Sequence, residues 1–135
     1  MLTIMEKVDL LQNAALFYEV RTQNLARIAA IAQEACFEAR QLLFSENEAA
    51  VAMFVLLEGE VTLNRSGHPE RRLGRLEVAG GLSLLANVPQ MESARADQPV
   101  RTLRIGQQDL YDAMAEDFNI TRGILRALAG LAAGR

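Results

Sequence analysis

A chain of 135 residues, half of them apolar, holds one ordinary domain with one core and leaves little room for a second. Only 5% of the residues are aromatic and Trp is absent, so that core should be aliphatic, while 23% charged residues mark a folded rather than a disordered composition. A net charge of −3 argues against a nucleic-acid surface, because phosphate binding needs a clustered basic face.

The first third is predicted helical. Leu2, Met5, Leu10 and Leu11 recur near helical spacing, and Asn13 marks a break. Thr22 is the expected N-cap of a second helix, with Leu25, Ile28, Ala29 and Ala32 at intervals of three and four, ending near Gln33. From Glu34 to Ile105 the texture is short strands and turns. The single cysteine, Cys36, lies in the apolar run Ala35-Cys36-Phe37 and reads as a buried thiol. It has no partner for an internal disulfide, which makes reduced, cytoplasmic surroundings the expectation.

Residues 37–44 can supply two short strands around Arg40-Gln41. Met53 to Leu57 is a buried strand by its apolar run, Glu58-Gly59-Glu60 interrupts it, and Val61 to Asn64 alternates with period two. Ser66-Gly67-His68-Pro69 is a turn by composition, and Arg71 to Leu76 and Val100 to Ile105 alternate again. Arg71, Arg72 and Arg75 are the densest basic group, but Glu70 and Glu77 flank them, so they read as a solvated strand face. Strands this short and close imply a small barrel or jelly roll. After Gly106 the helical period returns, first with Leu110, Tyr111 and Met114. From Phe118 a second helix carries Ile120, Ile124, Leu128 and Leu131 on one stripe and Arg122 and Arg126 opposite. The expected architecture is a single α+β domain: N-terminal helices over 1–33, a β roll over 34–105 and C-terminal helices over 106–135. No apolar run reaches the roughly 18 residues that cross a bilayer, and the N-terminus does not read as a signal peptide.

Catalytic chemistry finds little to work with. His68 is the only histidine and sits before Pro69 in a turn, whereas a cupin-type metal centre needs several histidines and a carboxylate. No metal is expected. Cys36 or a serine acting as nucleophile would need a positioned base, and His68 is the only imidazole. The pairs Glu46 and Glu48, Glu58 and Glu60, and Glu116 and Asp117 read as solvated charges in turns. Gly80-Gly81 lacks the following Gly-Lys-Ser/Thr of a P-loop, and the only lysine is Lys7. The chain is not expected to be an enzyme, and no catalytic residue is assigned.

Four strings in order resemble the cyclic-nucleotide-binding domain family, the regulatory domain of catabolite-activator-like proteins. Met53-Phe54-Val55-Leu56-Leu57-Glu58-Gly59-Glu60-Val61 is similar to the family's strand–glycine–strand signature. Residues 73–96 align without a gap to its phosphate-binding cassette, through Gly80-Gly81-Leu82-Ser83-Leu84-Leu85 and Pro89 to Ala96. Ile105, Leu110 and Ile120-Thr121-Arg122-Gly123-Ile124-Leu125 resemble its closing B and C helices. The resemblance implies a double-stranded β-helix, or jelly roll, flanked by helices. It also implies a ligand, cyclic AMP or cyclic GMP, held by a short helix N-terminus, by a Glu on the ribose hydroxyl, and by an Arg with a neighbouring Ser or Thr on the phosphate.

This sequence departs from that pattern at each side chain. Gly81 stands at the Glu position, Gln90 at the Arg position and Met91 at the Ser/Thr position, and Glu92 takes a place where a small residue is usual. A hydrogen bond to a charged group is worth about 1.5–3 kcal/mol, so two losses weaken binding on the order of a hundred-fold. What remains is a residual cassette: Gly80, Gly81, Leu82 and Ser83 by their backbone, with Gln90 and Met91. Arg40, Asn47 and Ala50 also stand at turn positions where the family commonly has Gly. Asn47 tolerates the left-handed conformation, while Arg40 and Ala50 would adopt it at a cost.

Two non-enzymatic readings stay open. Cyclic-nucleotide binding is weak or lost and the domain is a regulatory or interaction module, its cassette filling the core with Leu82, Leu84 and Leu85. Alternatively it senses cyclic AMP, cyclic GMP or another small anion, with Leu125 or Leu128 as lid residues on a moving C-terminal helix. The resemblance also implies homodimerisation along that helix, although the same stripe can pack back on the roll. Too few residues follow it for a helix-turn-helix, so output is expected through another protein or a fused effector domain.

Overall fold

The computed structural model describes residues 1–134. In chain order they form α1 (Ile4–Leu11), α2 (Thr22–Ile31), β1 (Gln33–Phe37), β2 (Leu42–Phe44), β3 (Ala52–Glu58), β4 (Val61–Asn64), β5 (Arg71–Leu73) and β6 (Val78–Ala79). Then follow α3 (Gly81–Ala86), β7 (Ser93–Ala96), β8 (Val100–Gly106), α4 (Gln107–Glu116) and α5 (Phe118–Ala132). The strands make two antiparallel four-stranded sheets, ordered β1-β8-β3-β6 and β2-β7-β4-β5. They face each other as a jelly roll with the helices packed outside the first sheet, as an α+β reading requires. No helix among the described residues is long and apolar enough to cross a membrane.

The apolar run at Met53 is buried on both faces because its strand separates two cores. Met53, Val55 and Leu57 face the helical core with Phe17, Leu25, Ile28, Leu110, Ile120 and Ile124. Ala52, Phe54 and Leu56, displaced by one residue, face the roll interior. Burying one such large apolar side chain is worth about 1.5–3 kcal/mol. The interior is mainly aliphatic, as the composition predicts, with a few phenylalanines. Phe54 lies edge-on to Phe37 at 5.4 Å and stacked on Phe44 at 6.3 Å, and Phe17 is fully buried in the other core. The sharp return from β3 to β4 needs Gly59: its φ is +90°, and a Cβ there would stand 2.6 Å from Pro99 O.

Several local expectations are corrected. Thr22 is not the N-cap of α2. Arg21 holds that position without a side-chain bond, and Thr22 is the first helical residue. The strong cap belongs to α1, where Thr3 and Glu6 bond each other's backbone N–H in a capping box. Cys36 is exposed, because alternation along β1 turns it outward while Phe37 packs against the roll core. The strand expected over 71–76 stops at Leu73, and Leu76 turns left-handed at φ 68°. Arg40 and Asn47 are left-handed at φ 74° and 71°, but Ala50 is not and carries no such cost. On α5, Ile120 and Ile124 are packed in the chain's own core and Leu128 is half-buried, whereas Leu131 is 58% exposed. The helix is exposed at Leu131 and Ala132. Gly123 lets it come close, since a Cβ there would lie 2.8 Å from Val20 Cα.

The candidate ligand site

β6 delivers the chain to Gly80, whose φ of +81° turns it into α3. α3 ends at Asn87, left-handed at φ 56°. The loop after it folds back: Ser83 Oγ accepts the Met91 N–H at 3.1 Å and Ser83 O accepts the Val88 N–H at 3.1 Å. Gln90 is fixed by its own backbone, donating to Glu48 O at 2.7 Å and accepting from Asn47 N at 2.8 Å. These bonds bring Gly80, Gly81, Leu82, Ser83, Gln90 and Met91 to one cavity of about 170 Å³.

Its walls are largely apolar and come from distant parts of the chain: Leu16 from the turn before α2, Leu63 on β4, Leu73 on β5, Val78 on β6 and Leu131 on α5. Leu16 has the largest effect on shape. It is 5% exposed at a left-handed φ of 72°, and a Cβ on Gly81 would stand 2.6 Å from its Cδ1. The space beside Gly81 is therefore already filled.

Two charged residues line the cavity, Arg71 and Glu92, and they neutralise each other. In the β4–β5–β7 register Leu63 pairs with Arg71 on one side and Ala94 on the other. Arg71 reaches across β4 so that its Nη2 meets both Glu92 oxygens, at 2.9 and 3.0 Å. Arg71 is therefore not only part of a solvated strand face, as its acidic neighbours in sequence imply, but half of an ion pair at the cavity.

Gln90 is 2% exposed and its Oε1 has no hydrogen-bond partner among the described residues. Leaving a buried acceptor unpaired costs about 1–3 kcal/mol. Leu82 does not pack inward beside Leu84. It is 52% exposed at the cavity rim, because residues two apart on a helix lie about 200° apart. Leu84 is fully buried and Leu85 packs against the helical core. Leu125 and Leu128 do not line the cavity, and the α5 residue standing there is Leu131.

The cassette is tied to the C-terminal helices by another route. Leu84 O, in the last turn of α3, accepts the Tyr111 hydroxyl at 2.6 Å and Gln107 Nε2 at 3.3 Å, both from α4. Among the described lining residues no acid–base or nucleophilic constellation stands at the cavity. His68 Nδ1 lies against Ser66 O in the exposed β4–β5 turn, and Cys36 lines a separate groove with Phe37, Glu38, Gln41 and Pro99. Among the described residues no group of three or more His, Cys, Asp and Glu is placed to hold a metal ion.

With this geometry the family comparison is decisive: the family model described as cyclic nucleotide-binding domain matches residues 34–117. The chain belongs to the cyclic nucleotide-binding domain family. It is similar to the N-terminal domain of a transcriptional regulator from Streptomyces coelicolor, 26% identical, with a TM-score of 0.79 over 93% of this chain and 91% of that one. Two structures from other bacteria share the fold. A candidate cyclic nucleotide-binding protein from Geobacter metallireducens is 24% identical, with a TM-score of 0.81 over 100% of this chain and 98% of that one. Another from Ruegeria pomeroyi is 23% identical at TM-score 0.81, covering 98% of this chain, which spans only 61% of the Ruegeria chain. No curated protein matches the sequence.

Gly81 thus lies under Leu16, Gln90 is a buried neutral amide, and Arg71, the one arginine among the described lining residues, is held by Glu92.

Proposed function

We propose that this chain is a non-enzymatic regulatory module of the family that has lost recognition of cyclic AMP and cyclic GMP. It passes its state to another protein or a fused effector domain. The observation that carries the reading is the neutral lining of the cavity: Arg71 is committed to Glu92, and Gln90 supplies no charge. A cyclic phosphate entering it would draw Arg71, 66% exposed, from that ion pair at little cost, but would then face the unpaired carboxylate of Glu92, which is only 19% exposed.

Output would run from α3 through the Tyr111 and Gln107 bonds into α4 and α5. The partner-facing surface of α5 is not the stripe of Ile120 and Ile124, which the domain uses itself, but the exposed Phe118 and Leu125. A second copy of the chain or a different protein would meet it there. Calorimetric titration with cyclic AMP and cyclic GMP tests the reading: neither should give saturable heat or raise the melting temperature at millimolar concentration. Micromolar binding of either would refute it.

A further inference from the structure

We propose that the cavity beside α3 is a binding site for a small neutral molecule, an apolar body of one or two rings carrying a single N–H or O–H donor that bonds Gln90 Oε1. This rests on the reading that the cavity no longer takes a cyclic nucleotide. Three observations converge on it. The chamber, about 170 Å³ between Leu16, Leu63, Leu73 and Val78, is apolar and of ring size; a protein cavity of about 150 Å³ lined by such residues holds benzene. Gln90 is the one amide among the described lining residues; its acceptor is unpaired but covered, so its amide must turn to meet a guest, while its backbone is fixed at both N–H and C=O. The rim carries no net charge, because Arg71 and Glu92 are paired. Ligand sites are commonly of this kind, apolar walls with a few placed polar groups that orient the guest.

The geometry selects against the neighbouring chemical classes. An anion would face the Glu92 carboxylate with no uncommitted cation among the described lining residues. A plain hydrocarbon would fill the chamber but leave Gln90 Oε1 unpaired. A groove of about 460 Å³ shares Leu63, Leu82, Met91 and the Arg71–Glu92 pair with the chamber and runs out past Arg65 to His68 and Pro69. It gives a guest an entry path and room for a substituent.

The test is a nitrogen-edited NMR titration of the whole chain with four probes: indole, toluene, benzoate and cyclic AMP. Indole is expected to shift the Gln90 side-chain amide and the Leu82 and Met91 backbone amides. It should bind roughly 2- to 10-fold more tightly than toluene, the factor one neutral hydrogen bond supplies. Gln90→Leu keeps the apolar bulk and should erase that preference. If the variant does not fold, the indole-to-toluene ratio and the Gln90 shifts in the unaltered chain still decide. The proposal is overturned if indole leaves these signals unmoved at millimolar concentration, or if benzoate binds as tightly as indole. Saturable shifts with cyclic AMP would instead overturn the reading beneath it. A spectrum unchanged by both indole and cyclic AMP removes this inference alone.

Discussion

Restoring the family's carboxylate, Gly81→Glu, should damage the fold rather than rebuild a ribose site. The new Cβ would lie 2.6 Å from Leu16 Cδ1 and 3.1 Å from Val78 Cγ1, against about 3.5–4.0 Å for relaxed carbon contacts. Leu16 Cδ1 is a side-chain tip, so what resists its withdrawal is packing: Leu16 is 5% exposed. Overpacking of this kind costs about 1–3 kcal/mol. The carboxylate, extending among Leu16, Val78 and Met53, adds a desolvation cost of similar size. A loss of about 2–5 kcal/mol lowers the melting temperature by roughly 6–15 °C in a domain this size. The assay is thermal unfolding followed by circular dichroism for the wild type, Gly81→Glu, Leu16→Ala and the double variant. If Leu16 fills the site, the double variant should be more stable than the sum of the singles by about 1 kcal/mol or more. Gly81→Glu melting with the wild type, or strict additivity with Leu16→Ala, would refute the reasoning. By the same logic Gly81→Glu with Gln90→Arg should stay inert to cyclic AMP while Leu16 is present.

Other contacts make independent predictions. Tyr111→Phe removes the 2.6 Å bond to Leu84 O, should cost about 1 kcal/mol, and should speed amide hydrogen exchange in α3 and the first turn of α4; unchanged exchange would disconnect the two helices. Gly123→Ala should destabilise by about 2 kcal/mol or more despite alanine's better helix propensity, because its Cβ would meet Val20 Cα at 2.8 Å and Glu19 O at 3.0 Å. Chemical denaturation measures this, and a stabilised variant would contradict the packing. Glu34 is held below the usual carboxylate range by the Leu2 N–H and then by Arg101, so its stabilisation is present above that range and fades as pH falls through the lowered value. Glu34→Gln should therefore melt below the wild type at neutral pH and converge with it in acid; a gap that does not change with pH would count against the pairing.

Local pattern makes some parts of the molecule legible in the amino-acid sequence. The run from Met53 to Leu57 reads as a strand because every residue is buried, three toward one core and three, with Ala52, toward the other. The period of α5 marks Ile120 and Ile124 as core for the same reason. The cassette is legible by its glycines and its Pro89, which place Gly81, Gln90 and Glu92 but say nothing of what surrounds them. Those surroundings are set by contacts remote in sequence. Arg71 and Glu92 are 21 residues apart and meet only through the β4–β5–β7 register. Leu16 adopts a left-handed backbone that no leucine advertises, and its role is visible only against the missing side chain of Gly81. Cys36 misleads because its apolar neighbours give no sign of which face of an edge strand turns outward.

We propose that Leu16, Gln90 and the Arg71–Glu92 pair make a neutral cavity where the family resemblance implies a phosphate cassette. The amide spectrum of Gly80 to Ser83 and of the Gln90 side chain in the presence of millimolar cyclic AMP, then cyclic GMP, decides it. These signals should not move. Saturable shifts confined to them, at micromolar ligand, would show that the phosphate site still operates.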